Sequence, residues 1–317
     1  MILMTDYMWF LKQITPVLNR NLLCCNFAIT YRCNSRCSNC NIWKIKEYGK
    51  ELTADEIVNF FNESKIDQVA ITGGEPFLRT DLREILEGLS CKKVINTNGL
   101  MPEAIERTIK GLELDAVSIS LDGTEKTHDK IRGIRGAFKK AIKSIEILKE
   151  NRIDVTASFT ITTENYNEIL KTFKLAQNLG CRFSMRPALN SFYYKNLEKR
   201  FSFTADMIDE IERQIGKMLK YYTRFGKGRF FMENIPNYLR NPRKIIPCVA
   251  GRKQFFLDPY GNVYPCAFVG QKLGNVKENK IDKILSKNFD KKSCHCWTEC
   301  EMLASIDLGN IITNFKK

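Results

Sequence analysis

Between residues 26 and 186, short runs of β-branched and aromatic residues alternate with longer stretches whose apolar positions recur at helical spacing. The runs predict strands over Asn26–Tyr31, Gln68–Thr72, Lys93–Asn96, Ala116–Leu121, Asp154–Thr162 and Arg182–Arg186. The stretches predict helices over Thr53–Ser64, with Thr53 as N-cap, and over Asp81–Leu89, Pro102–Lys110, Ala137–Glu150 and Tyr166–Leu179. Such βα repeats make a parallel sheet whose functional loops gather at the C-terminal ends of the strands. After residue 190 the rhythm stops. An aromatic, lysine-rich linker follows over 191–243, with a helix over Thr204–Leu219. Phe255 to Cys266 then reads as a hairpin, because Asp258-Pro259-Tyr260-Gly261 is a turn between two alternating runs. The expected divisions are an N-terminal helical segment (1–22), a main unit (23–190), the linker (191–243) and a C-terminal unit (244–317).

Twelve cysteines fall into three groups. Cys33, Cys37 and Cys40 share one short loop after the first strand. Three thiolates there can hold three irons of a [4Fe-4S] cluster and leave the fourth iron open for chemistry. Structural zinc normally needs four closed ligands, and this loop offers neither a fourth Cys nor a His. The second group is Cys248 and Cys266, either side of the first hairpin strands, with Cys294, Cys296 and Cys300 in the closing run, giving five candidates for four places. Zinc competes more strongly here, since four cysteines, or three with the adjacent His295, are normal zinc geometry. Cys24, Cys25, Cys91 and Cys181 lie in or beside strand signals and are expected to be small buried hydrophobes. A disulfide framework suits short secreted chains, and no cleavable signal peptide is legible.

The remaining chemistry sits at the predicted strand ends. Gly73-Gly74-Glu75-Pro76 follows the second strand, Asn96-Thr97-Asn98-Gly99 the third, and Ser118-Ile119-Ser120-Leu121-Asp122-Gly123 the fourth. Gly73 and Gly74 lack Cβ, which lets the backbone approach a ligand closely. Glu75 is either a ligand contact or a carboxylate that holds the loop. Ser118, Ser120 and Asp122 suit ribose or carboxylate contacts, or else cap an ordinary Asp-Gly turn. Thr160, Thr162 and Arg186 are further pocket candidates, with a plain strand-end role as the alternative.

CxxxCxxC followed by GGEP resembles the radical S-adenosylmethionine (radical SAM) superfamily, over roughly residues 23 to 190. The resemblance implies a partial (βα)6 TIM-type barrel in which SAM chelates the open iron through its amino and carboxylate groups. It places Gly73, Gly74, Glu75, Asn98, Ser120 and Asp122 near SAM, with Arg186 as a further candidate. The run from His128 to Phe138 resembles a stretch of peptide-modifying members in which an Arg pairs with the SAM carboxylate, and both Arg132 and Arg135 qualify. One departure is visible: the family usually has an aromatic before the third Cys, and here it is Asn39. The C-terminal region looks like a SPASM or shortened Twitch extension, a small cysteine-rich α+β unit. By that likeness one auxiliary [4Fe-4S] cluster is expected on Cys248, Cys266, Cys296 and Cys300, with Cys294 spare or in place of Cys296. The implied activity is reductive cleavage of SAM, using an electron donor such as ferredoxin or flavodoxin, to a 5′-deoxyadenosyl radical that abstracts hydrogen. The implied substrate is a peptide, or a small molecule or cofactor precursor.

Net charge changes this picture little. The formal charge is +14, but Lys and Arg are scattered and interleaved with acids, so no specific nucleic-acid partner is expected. No apolar stretch approaches the ~20 residues that cross a bilayer, and a cytoplasmic location is expected. The amphipathic stretch Tyr7–Leu18 is expected to pack on the barrel, with a membrane surface as the alternative. Two competing functions follow: a non-catalytic iron-sulfur or zinc protein that binds nucleic acid, and a membrane-associated radical enzyme acting on lipid.

Overall fold

The computed structural model describes residues 23–46, 49–199, 201–222, 226–243, 245–290, 295–298, 302 and 305–306. The expectations for Tyr7–Leu18, Cys294 and Cys300 lie outside them. Six parallel strands, β1 (Cys24–Ala28), β2 (Gln68–Thr72), β3 (Lys92–Thr97), β4 (Ala116–Ser120), β5 (Val155–Ile161) and β6 (Arg182–Pro187), stand in the order 6-5-4-3-2-1. Helices α1 (Ala54–Glu63), α2 (Leu82–Gly88), α3 (Pro102–Ile109), α4 (Glu125–Arg132), α5 (Ala137–Glu150) and α6 (Ile169–Asn178) occupy the crossovers. This is the partial (βα)6 barrel expected. Period-2 patterning divides the two faces of each strand. Val117, Ile119, Ala157 and Phe159 are fully buried in the core, while Ser118, Ser120, Ser158 and Thr160 face a cavity.

Local chemistry explains where elements start. Thr53 accepts from Glu56 N and Glu56 returns a bond to Thr53 N, a complete capping box for α1. α4 escapes the sequence pattern because seven of its eight residues are polar and only His128 and Ile131 are buried. α6 begins at Ile169 rather than Tyr166 because Asn165 folds the preceding residues into a turn. Its side chain accepts from Thr162 N (2.7 Å) and donates to Asp122 O (2.9 Å). Cys25 and Cys181 are buried as expected, whereas Cys24 and Cys91 are half-buried.

The C-terminal region extends the same sheet. β7 (Gln254–Leu257) pairs with β1 in parallel register, Phe27 opposite Leu257, so β1 is flanked by β2 on one side and β7 on the other. β8 (Asn262–Tyr264) and β9 (Gly274–Asn275) add antiparallel. The hairpin turn is held by Asp258, whose carboxylate accepts from Tyr260 N and Asn262 N, both at 2.9 Å, while Gly261 takes φ 86°. All four β7 residues are buried, as in a strand covered on both faces. In the linker, α7 (Ala205–Met218) is capped by Thr204, and two helices the pattern had not shown, α8 (Lys227–Glu233) and α9 (Ile235–Arg240), follow it. Trp297 stacks on Phe231 of α8 at 5.4 Å and donates to its carbonyl, which seats the closing run.

Because β7 shares its ladder with β1, damage to the hairpin core should be felt by the barrel. Phe255→Ala, at a site with no exposure, is expected to cost about 3–5 kcal/mol. The loss should appear as one shifted denaturant transition. A separate early transition that leaves the barrel midpoint in place would contradict this coupling.

Candidate active site

One cavity lies at the C-terminal ends of the barrel strands. Its floor is polar: Cys33, Cys37 and Cys40 from the loop after β1, Gly73 and Gly74 after β2, Asn98 after β3, Ser118 and Ser120 on β4, and Thr160 on β5. Arg132 and Arg186 also line it, and Tyr193, Tyr194, Phe268 and Thr298 close it from beyond β6.

The cysteine loop rests on the end of α4. Arg36 N donates to Arg132 O (3.0 Å) and Ser38 N to Ile131 O (2.8 Å). Gly133 makes this approach possible, since a Cβ there would stand 2.6 Å from Arg36 O. All three loop cysteines are free thiols. Burial pushes Cys33 and Cys40 up to about 12, so thiolates there need a cationic partner. Polar groups already face the sulfurs: Arg132 Nη1 donates to Cys37 Sγ at 3.6 Å, Asn98 Nδ2 to Cys33 Sγ at 4.0 Å, and Ser35 Oγ lies 3.1 Å from Cys37 Sγ. Among the described residues no three Cys, His, Asp or Glu side chains form a group able to hold a single metal ion. A [4Fe-4S] cluster asks something different, one thiolate for each of three irons, and three thiols lining one cavity beside amide and guanidinium donors fit it.

Packing gives a further reason for glycine at positions 73 and 74, beside the ligand approach expected from the sequence. A Cβ on Gly73 would stand 2.3 Å from Thr30 O, and one on Gly74 2.0 Å from Arg32 O. The missing side chains let this turn press against the cysteine loop, where Gly74 N donates to Thr30 O (2.7 Å) and Glu75 N to Arg32 O (2.8 Å).

Of the two roles open for Glu75, the geometry is that of a carboxylate holding the loop. It is 1% exposed and accepts from Thr97 Oγ1 (2.7 Å), Asn98 N (2.8 Å) and Phe77 N (3.3 Å), tying the ends of β2 and β3. Desolvation pushes it up to about 7 despite those bonds. Asp122 is likewise fully buried. It accepts from Thr160 N (2.8 Å) and forms an ion pair with Arg132. It therefore orients Arg132 rather than forming the cavity wall. His128, also fully buried, accepts from Asp122 N at 3.1 Å, and burial holds it near 4, so it is neutral.

The two arginines part company. Arg132 lines the cavity between Asp122 and Cys37, and its buried Nε has no hydrogen-bond partner among the described residues. Arg135 is exposed and outside the cavity. Thr162 turns away to Asn165, while Thr160 and Arg186 line the wall. Several lining residues were not candidates from sequence. Trp43 donates its indole N–H to Cys40 O (3.0 Å) and supplies an aromatic wall where Asn39 does not. Tyr193 and Tyr194 lie in the aromatic run that read only as linker.

The second cysteine group is described in part. Cys248 is half-buried before β7, where its sulfur accepts from Ala250 N (3.4 Å). Cys266 is buried after β8 and accepts from Phe268 N (3.4 Å). Cys296 is buried in the closing run. Backbone N–H groups aimed at the sulfurs of Cys248 and Cys266 suit cluster ligands.

The radical SAM superfamily model matches residues 27–176, and the SPASM iron-sulfur cluster-binding domain matches 248–302. An AdoMet-dependent heme synthase of Methanosarcina barkeri is 27% identical, over 81% of this chain and 80% of its own length. The antilisterial bacteriocin subtilosin biosynthesis protein AlbA of Bacillus subtilis is 25% identical, over 82% of this chain and 58% of its own. The crystal structure of Streptococcus suis SuiB bound to S-adenosylmethionine shares the fold, with a TM-score of 0.66 at 16% identity over 99% of this chain and 79% of that one. No helix among the described residues is long and apolar enough to cross a membrane. Motifs, fold and both domain matches agree: the chain belongs to the radical SAM superfamily and is a radical SAM enzyme with a C-terminal SPASM iron-sulfur cluster-binding domain.

Proposed function

We propose that this enzyme modifies a peptide, held between the barrel rim and the C-terminal extension. The observation that carries the reading is the shared cavity, in which the three loop thiols and Arg132 face Phe268 and Thr298 of the extension. When bound, the cluster, reduced by an external electron donor, would supply one electron to the SAM sulfonium, whose C5′–S cleavage to methionine would give a 5′-deoxyadenosyl radical able to take a hydrogen atom from a substrate carbon. The chain's own part is to hold and orient. Cys33, Cys37 and Cys40 hold the cluster. The Gly73–Gly74 edge faces the methionyl amino group, and Arg132, fixed by Asp122, its carboxylate. Hydroxyls of Ser118, Ser120 and Thr160 suit the ribose. Tyr193, Tyr194 and Phe268 keep water out.

Peptide as the substrate class is supported by AlbA, which serves subtilosin biosynthesis, and by SuiB, whose structure is known with its precursor peptide SuiA. A small-molecule substrate is the second reading, and the heme synthase relative favours it. The electron donor is a ferredoxin or flavodoxin, and the setting is the cytoplasm. Cys248, Cys266, Cys296 and Cys300 hold one auxiliary [4Fe-4S] cluster within a unit spanning 244–317.

Anaerobically reconstituted protein should carry about eight irons, four in each cluster. Changing Cys33, Cys37 and Cys40 together to Ala should remove about half of that iron and all formation of 5′-deoxyadenosine. Persistent SAM cleavage would sink the assignment. Adding a candidate precursor peptide should raise 5′-deoxyadenosine formation and leave a mass change on the peptide. Stimulation by a tetrapyrrole alone would favour the second reading.

For the auxiliary centre, Cys266→Ala should lower iron toward half while SAM still binds at the first cluster. Zinc in place of iron in anaerobically prepared wild type would refute it.

Arg132→Ala should weaken SAM binding by about ten- to hundredfold, as expected on losing a charge-assisted pair worth ~1.5–3 kcal/mol. It should also lower the melting temperature, because Asp122 is left buried without its partner. Arg135→Ala, at an exposed site, should change SAM affinity by less than about twofold. Wild-type SAM affinity in both variants would move the carboxylate partner elsewhere, with Arg186 next.

A further inference from the structure

Residues 191–199 read as the start of a linker, yet the polar contacts of this stretch converge on the SAM site. Asn41 N donates to Tyr194 O (2.8 Å) and Asn41 Nδ2 to Lys195 O (2.9 Å). Asn196 Nδ2 donates to Asn39 O (2.8 Å), and Lys199 Nζ to Ser38 O. The stretch from Ser38 to Asn41, which includes the third cluster thiol, is thus bonded along its length to this one segment.

Tyr193 reaches the other half of the site. Its phenol donates to Gly73 O at 2.8 Å, and its ring is 3% exposed on the cavity wall. A carbonyl has two acceptor positions. Tyr193 fills one on Gly73, which fixes that peptide plane and leaves the other for a ligand. A third tie runs to the extension: Ser191 Oγ donates to Ala267 O, next to Cys266, and accepts from Tyr193 N (3.1 Å). The segment has no helix or strand of its own. Its shape is set by bonds such as Ser191 N to Asn196 Oδ1 (2.8 Å) and by Lys195 at φ 53°.

We propose that residues 190–199 are a positioning strap: Tyr193 sets the Gly73 carbonyl, Asn196 sets the backbone ahead of Cys40, and Ser191 links both to the C-terminal extension, so that the extension and the SAM site are energetically coupled. The proposal rests on the reading that this cavity takes SAM.

The test uses the full-length, anaerobically reconstituted protein, with iron content, melting temperature, SAM affinity and the SAM-induced change in the EPR spectrum of the reduced cluster as readouts. Wild type must bind SAM and show that change, and its failure to do so overturns the functional reading and the strap together. Tyr193→Phe keeps the ring and should retain iron and melting temperature, yet bind SAM about five- to tenfold more weakly with an altered EPR change. Asn196→Ala should weaken binding further and lose iron from the first cluster. Ser191→Ala should weaken SAM binding about threefold or more with both clusters intact. If Tyr193→Phe binds SAM within twofold of wild type with an unchanged EPR response, the positioning role is wrong, whether or not Asn196→Ala folds. If Ser191→Ala alone is neutral, the link to the extension is wrong.

Discussion

A loop that carries three thiols into a buried cavity has no ladder of its own, and every backbone group it brings with it must find a partner. Each buried group left without one costs about 1–3 kcal/mol. Most of the site can be derived from that constraint. The turn after β2 donates two N–H groups to the loop, to Thr30 O and Arg32 O. The last carbonyls of α4 accept two more from Arg36 N and Ser38 N. Residues 194–196 take the groups around Cys40. Such close backbone-to-backbone packing is why Gly73, Gly74 and Gly133 have no room for a side chain.

Charge is arranged by the same logic. Glu75 and Asp122 are both buried carboxylates near the cysteine loop, but their surroundings give them different work. Glu75 has only neutral donors, and burial raises its pKa to about 7. A carboxyl that binds protons more readily folded than unfolded favours the fold most at low pH, and that contribution fades as pH rises from its ordinary value of about 4.5 toward 7. Asp122 instead has a guanidinium against it, and the pair leaves Arg132 aimed at both a cluster thiol and the cavity. Neither acid faces the ligand space. They act by fixing the groups that do.

Much of this was legible in the chain. The six barrel strands follow from apolar runs, the cavity face of β4 and β5 from polar residues at every second position, and the cluster loop from its cysteine spacing. α4 was not legible, because a polar helix buries too little to leave a periodic trace. Nor was the choice between Arg132 and Arg135, three residues apart, since it depends on which side of the α4 end faces Asp122. Tyr193 and Asn196 could not be read because their partners lie more than a hundred residues away in sequence. Only the packing of an irregular segment against another irregular segment reveals them.

The place of β7 gives the C-terminal extension its significance. Hydrogen-bonded to β1, it makes the strand that leads into the cluster loop an interior strand, held from both sides. The hairpin turn then reaches the same region: Leu52 N donates to Pro259 O (2.8 Å), and Tyr260 packs edge-on against Tyr31 at 5.7 Å, two residues before Cys33. Phe268 and Thr298 stand in the cavity wall itself. An appended domain joined only by a flexible linker would leave the SAM site complete without it. Here the extension supplies part of the sheet, part of the support beneath the first cysteine and part of the wall a substrate meets, so the barrel's chemistry and the extension's ligation are built on one continuous set of contacts.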